Sequence, residues 1–163
     1  MAKIFISLGS NIDPERHLKA AVIDLEAHFG ELVLSSVFES EAVGFDGTNF
    51  LNMVVAAETE LSIAEVVSTF KQIEQDHGRV KGAKKFAPRT LDLDLLLLDD
   101  TICNHPIELP RAEILYNAFV LWPLAEIAPS LCHPVVNQSY QALWNAYDKT
   151  SQTLWPVEFN WSK

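Results

Sequence analysis

Four strand-like runs and two helix-like runs follow one another as β-α-β-β-α-β, which predicts an α+β fold with a mostly antiparallel sheet, the split βαβ arrangement of ferredoxin-like domains. Three observations carry the prediction. Apolar residues recur every second position from Ile4 to Leu8 and along Phe50 to Glu58. They recur every three or four positions from Leu18 to Phe29 and from Val66 to Ile73. Both helical runs stop at a glycine, Gly30 and Gly78. Additional helices are expected toward the C-terminus, and residues 1–163 read as a single domain in which 151–163 form an aromatic tail.

Ile4, Ile6 and Leu8 alternate with Phe5 and Ser7, a short strand ending at Gly9-Ser10-Asn11. Asp13 is placed to cap the next helix with Pro14 at its first position, and Leu18, Ala21, Val22, Leu25 and Phe29 make its apolar stripe. Residues 32–39 read as a second strand, and residues 40–49, with two glycines and no periodicity, as a loop. In the third strand, over 50–58, Phe50, Asn52, Val54 and Ala56 share one face and Leu51, Met53, Val55 and Ala57 the other. Ser62 and Glu65 form a capping-box pattern, and Val66, Val67, Phe70 and Ile73 mark the buried side of the second helix. A fourth strand is predicted over 91–98. Beyond Leu109-Pro110 and a short polar segment, a helix with a proline-bent entry is expected over 119–127 and a last one over 139–147. Trp155, Phe159 and Trp161 suit a tail packed on the surface.

Composition excludes several classes of function. The chain has 163 residues, 22 acidic and 12 basic, for a net charge of −10. Counterion release requires many cations against phosphates, so neither a general nucleic-acid binder nor an anionic-membrane binder is expected. The apolar runs are too short to cross a bilayer. Too few apolar residues precede Gly9 for a secretory signal, and the two cysteines, Cys103 and Cys132, form no CxxC pair. A cytoplasmic setting and a monomer are expected, with a dimer left open.

One local feature runs against the overall charge. Arg79, Lys81, Lys84, Lys85 and Arg89 are five of the 12 cations, in a stretch without an acid. The next strand carries Asp92 and Asp94, which a period of two puts on one face while Leu91, Leu93 and Leu95 take the other. Two carboxylates so close repel one another and call for a compensating charge. A divalent cation supplies it, as Mg²⁺ does when held by one or two carboxylates and substrate phosphates. The alternative is a solvent-facing pair on an edge strand beside a solvated basic loop. Together, basic loop and carboxylates make a phosphoryl-transfer constellation. No glycine-rich Walker pattern accompanies it.

The run Lys85-Phe86-Ala87-Pro88-Arg89-Thr90-Leu91-Asp92-Leu93-Asp94-Leu95-Leu96 resembles the signature of the 6-hydroxymethyl-7,8-dihydropterin pyrophosphokinases. Supporting matches, in the family's order, are Leu8-Gly9-Ser10-Asn11, Phe50-Leu51-Asn52, Glu74 with Gly78-Arg79-Val80, and Phe119-Val120-Leu121-Trp122-Pro123-Leu124 followed by Glu126-Ile127-Ala128-Pro129. The resemblance implies Mg-dependent transfer of pyrophosphate from ATP to the pterin hydroxymethyl group, releasing AMP, with two Mg²⁺ ions. It implies Arg89, Asp92 and Asp94 as catalytic residues and both aspartates as metal ligands. Ser40, Val43, Phe50, Asn52, Phe86 and Phe119 would bind the pterin, Phe86 and Phe119 by their flat faces. Glu74, Lys81, Lys85, Arg89 and Arg111 would serve the nucleotide. Arg111 stands where the family commonly has histidine, and Asn117 where an arginine is expected. The alternative from another class is a paralogue that binds pterin or nucleotide with little or no catalysis, as a regulatory or partner-binding module.

Overall fold

The structure, a computed structural model, describes residues 1–40, 49–78, 91–159 and 161. Along the chain come β1 (Ala2–Ser10), α1 (Pro14–Phe29), β2 (Val33–Leu34), β3 (Val37–Ser40), β4 (Phe50–Thr59) and α2 (Ile63–Asp76). They are followed by β5 (Asp92–Leu98), a 3₁₀ turn (Ala112–Leu115), α3 (Ala118–Ile127), α4 (Tyr140–Ala146) and β6 (Leu154–Val157). The strands join in one sheet of order β5-β1-β4-β3-β6, with β2 also on β4, and every ladder between them is antiparallel. The four predicted strands thus take the interleaved order expected of a split βαβ core.

The two-residue period sorts side chains onto two buried faces. Ile4, Ile6, Leu8, Leu51, Met53, Val55, Leu93 and Leu95 pack with Leu18, Leu25, Val66 and Phe70 of α1 and α2. Phe5, Val54, Ala56, Leu96 and Leu97 pack on the opposite side with Val120, Leu121 and Leu124 of α3 and Tyr140 of α4. Leu96 and Leu97 fall on the same side because the β1–β5 register shifts between Phe5 and Ile6, an irregularity that inserts one residue into β5.

Several local details depart from the expectations. Asp13 sits at φ 46° and makes no capping hydrogen bond with its side chain, which instead pairs with Arg16 at 3.2 Å. The predicted strand over 32–39 is broken at Ser35 and Ser36. There the Ser35 N–H donates to the Val54 carbonyl and its hydroxyl accepts from the Val54 N–H at 2.9 Å, substituting a side chain for a ladder carbonyl. The Ser36 N–H and hydroxyl both donate to the Glu126 carboxylate, the hydroxyl at 2.7 Å, so the break is tied to the end of α3. Ser40 belongs to β3 and not to the loop after it.

Pro123 lies within α3 and not at its entry. Lacking an N–H, it leaves the Phe119 carbonyl without its usual helical donor. The tail contributes β6, whose Val37↔Val157 to Ser40↔Leu154 register extends the sheet beyond β3. The capping box at Ser62 and Glu65 forms as expected, with bonds of 3.0 and 3.2 Å, and holds the Glu65 carboxyl below its ordinary pKa. Among the described residues, no helix is long and apolar enough to cross a membrane.

Candidate functional site

Antiparallel register brings distant residues into rows across the sheet. Asp92 lies opposite Gly9, Gly9 opposite Asn52, and Asn52 opposite Phe38. The adjacent row sets Asp94 opposite Ser7 and Ser7 opposite Val54. Since cross-strand neighbours share a face, both aspartates and Asn52 lie on the side of the sheet that α3 covers. Asn52 is 6% exposed and donates from Nδ2 to the Ser40 hydroxyl at 3.2 Å. A Cβ on Gly9 would stand 2.8 Å from Asn52 Oδ1, so glycine is what lets the amide lie across β1. Phe50 pairs with Ser40 one row further, and Phe119 is partly buried against the same apolar cluster in the first turn of α3. One turn on, Trp122 packs against Phe38 with ring centroids 4.6 Å apart.

The outer edge of β5 is bonded by one side chain and one backbone group. Glu74, from α2, accepts the Leu93 N–H at 2.8 Å, and the Arg111 N–H donates to the Leu96 carbonyl at 3.0 Å. These bonds cover the strand edge, which pairs with no further strand among the described residues, and bring Glu74 and Arg111 beside Asp94. The Arg111 guanidinium reaches Asp94 Oδ1 at 3.5 Å and Glu113 Oε1 at 2.9 Å. Burial works against its charge, but Asp94 and Glu113 outweigh that and raise its pKa. A cleft of about 180 Å³ opens here, with Lys71, Glu74, Asp94, Ile107 and Arg111 among its walls. A larger cleft, about 370 Å³, lies at the start of α1 among Asp13, Glu15, Glu39 and Asn49. Its described walls carry three carboxylates and no cation, which repels phosphate, so the smaller cleft is the candidate for an anionic group.

Of the residues singled out in the sequence, the structure brings Ser40, Phe50, Asn52, Asp92, Asp94 and Phe119 to one face, and Glu74 and Arg111 to the adjoining edge. Val43, Lys81, Lys85, Phe86 and Arg89 lie outside the described residues. Sequence reasoning missed Lys71, one helical turn before Glu74, a spacing that could have found it. It also missed Glu113 and Gln152. Gln152 accepts the Ala118 N–H at 2.6 Å and donates to Asn117 Oδ1 at 3.0 Å, a contact over 35 residues that no local pattern signals.

An amide, a carboxylate pair and a cation converging on a ferredoxin-like sheet can be set beside known proteins. Residues 5–129 match the model of the family described as 7,8-dihydro-6-hydroxymethylpterin-pyrophosphokinase. A 2-amino-4-hydroxy-6-hydroxymethyldihydropteridine pyrophosphokinase of Aquifex aeolicus is 36% identical over 138 residues, 83% of this chain and 86% of that protein. The protein of the same name from Bacillus subtilis is 40% identical over 128 residues, 76% of each chain. The crystal structure of wild-type Plasmodium falciparum HPPK-DHPS matches with a TM-score of 0.69 at 13% identity, over 88% of this chain and 44% of that one. Here the chain spans less than half of the solved protein, and the likeness is one of fold. The family match runs from β1 through α3, including every strand and helix that carries Asn52, Asp92, Asp94 and Phe119, and with relatives at these identities it shows that the chain belongs to the 7,8-dihydro-6-hydroxymethylpterin-pyrophosphokinase family.

Proposed function

We propose that this protein transfers the pyrophosphoryl group of ATP to the hydroxymethyl group of 6-hydroxymethyl-7,8-dihydropterin, forming the pterin pyrophosphate and AMP in folate biosynthesis. The observation that carries the reading is the pair of adjacent rows, Asp92–Gly9–Asn52 and Asp94–Ser7–Val54, which puts a buried amide and two carboxylates on one sheet face. The hydroxymethyl oxygen bonds to the β-phosphorus as the bond from that phosphorus to the α,β-bridging oxygen breaks. AMP leaves with that oxygen, and the hydroxyl proton passes to solvent.

Asp92 and Asp94 suit Mg²⁺. Both present oxygen donors from one strand face, and Asp94 is 40% exposed, open to a ligand that brings its own water. Among the described residues no group of three or more His, Cys, Asp or Glu could hold a metal. Two carboxylates completed by phosphate oxygens and water therefore describe the donor set, which fits ions that arrive with the nucleotide, two in this reading. When bound, magnesium would neutralise charge building on the transferred group. Arg111 would meet phosphate oxygens, with Lys71 and Glu74 lining the nucleotide's cleft. Asn52, oriented by Ser40, would bond the pterin edge, and Phe50 and Phe119 would flank the flat ring. The roles drawn from the sequence for Val43, Lys81, Lys85, Phe86 and Arg89 complete the proposal. Residues 1–163 would act as one domain, with β6 of the tail closing the sheet edge.

The test is AMP formation from ATP and Mg²⁺ with and without the reduced pterin. Pterin-dependent AMP above the enzyme-free control is expected. Pterin binding by calorimetry with no AMP would instead select the non-catalytic paralogue.

A further inference from the structure

The segment between Arg111 and α3 forms a directed chain of hydrogen bonds that begins in the tail. Gln152 Oε1 accepts the Ala118 N–H, and Gln152 Nε2 donates to Asn117 Oδ1 at 3.0 Å. Asn117 Nδ2 donates to Glu113 Oε2 at 2.9 Å. Glu113 Oε1 then accepts from Arg111 Nε at 3.0 Å and Nη2 at 2.9 Å, and Nη2 faces Asp94 Oδ1 at 3.5 Å. Each amide can point only one way in such a chain, because each uses its carbonyl on one neighbour and its NH₂ on the next. Both Glu113 oxygens are engaged, so this carboxylate is fixed. Arg111 is gripped tightly by Glu113 and touches Asp94 more loosely.

We infer that Arg111 is a built-in counter-ion of Asp94 that opposes a divalent cation there in the absence of nucleotide, and that it transfers its charge to the phosphates when metal and nucleotide arrive together. Glu113, Asn117 and Gln152 are its positioning residues. The inference rests on the reading that Asp92 and Asp94 hold the nucleotide's metal. A guanidinium beside Asp94 Oδ1 repels a divalent ion at the same oxygen, whereas phosphate oxygens satisfy both cations at once. The grip of Glu113 keeps Arg111 in place when its contact with Asp94 is exchanged. Metal and nucleotide affinities are then coupled, and the coupling is reciprocal.

The experiment measures Mn²⁺ binding to the full chain by electron paramagnetic resonance without nucleotide, and binding of a non-hydrolysable ATP analogue with Mg²⁺ by calorimetry. For Arg111→Ala, Mn²⁺ alone should bind about two- to fivefold tighter and the analogue about two- to fivefold weaker, the range of one partly exposed ion pair. A role confined to structure would weaken both. Arg111→Gln, which keeps much of the side chain's bulk, should repeat both signs if the alanine variant does not fold. Glu113→Gln should move Mn²⁺ the other way, to weaker binding, because Arg111 is left with Asp94 as its anionic partner among the described residues. Mn²⁺ bound no tighter by both Arg111 variants overturns the counter-ion, and an analogue bound equally well by them overturns the hand-over. Asp94→Ala with analogue checks the underlying reading separately. Undiminished Mn²⁺ binding in that variant would remove the metal site itself.

Discussion

The two sides of the site are built by different means. On the proposed pterin side, Asn52 and Gly9 hold their places through backbone ladders, each residue set by its register with the next strand. On the proposed nucleotide side, Arg111 holds its place through the side chains of Glu113, Asn117 and Gln152, which come from the segment before α3, its N-cap and the tail. A ladder places side chains at intervals fixed by strand geometry, so it depends on register and on the residues of the row itself. A side-chain chain depends on every member. The pterin side should therefore fail through changes on the row itself, and the nucleotide side also through changes far from any substrate.

The largest effect is expected at the carboxylates. Asp94→Ala should lower kcat by about 10³-fold or more, the scale of losing a group that stabilises transition-state charge, with the fold retained by circular dichroism. Next comes Gly9→Ala. Its Cβ would stand 2.8 Å from Asn52 Oδ1, so the amide must move off its row. Pterin affinity by calorimetry should fall about tenfold, with about 1–3 kcal/mol lost in stability as in other overpacked sites. Unchanged pterin affinity would show that the amide's place on the row does not matter to the ligand.

The same contrast decides what could be read in advance. Both long helices follow from periodicity because each buries one face, while in the central strands, buried on both faces, alternation sorts the side chains between two cores. Asp92 and Asp94 were legible as a pair by the same rule. That they share a face with Asn52 was not, since it depends on β1 lying between β5 and β4. The break at Ser35 and Ser36 escaped notice because a serine hydroxyl standing in for a ladder carbonyl leaves the apolar pattern nearly intact. β6 includes a proline and little alternation, and it forms because β3 offers it an edge. In sequence Arg111 and Asn117 stand out only as neighbouring departures from the family pattern, and in space they are links of one chain, with Glu113 between them.

Gln152→Ala tests the dependence on distant members at a smaller scale. It removes the bonds to Ala118 and Asn117 without touching the cleft, and one or two hydrogen bonds are worth about 1 kcal/mol each. KM for ATP should rise about two- to fivefold while KM for the pterin stays the same. Equal changes in both would show that the tail supports the whole domain and not the nucleotide side.

The smallest effect belongs to the opposite face of the sheet, where α1 and α2 meet. His17 Nδ1 lies 2.7 Å from His77 Nδ1, Arg16 Nη2 is 3.4 Å from His17 Nε2, and His77 Nε2 is 3.2 Å from Asp24 Oδ2. Arginine can only donate, so His17 Nε2 is the bare nitrogen and its Nδ1–H points at His77, which passes its own Nε2–H to Asp24. Protonating His17 puts a hydrogen on the nitrogen that faces Arg16. Burial, His77 and Arg16 accordingly lower its pKa from 6.5, against a raising contribution from Asp13. A histidine with a depressed folded pKa takes up its proton more readily when unfolded, so its contribution to stability is complete above 6.5 and is lost as the pH falls from there through the folded value. His133, also lowered by burial, adds in the same direction. The melting temperature should decline between pH 7 and pH 5, and His17→Gln should flatten part of that decline. The row of Asn52 and Gly9 lies on the other face of the sheet and carries no histidine, so pterin affinity should stay level over the same interval. A pterin affinity that fell in step with the melting temperature would show that the ladder transmits strain from the helices to the site.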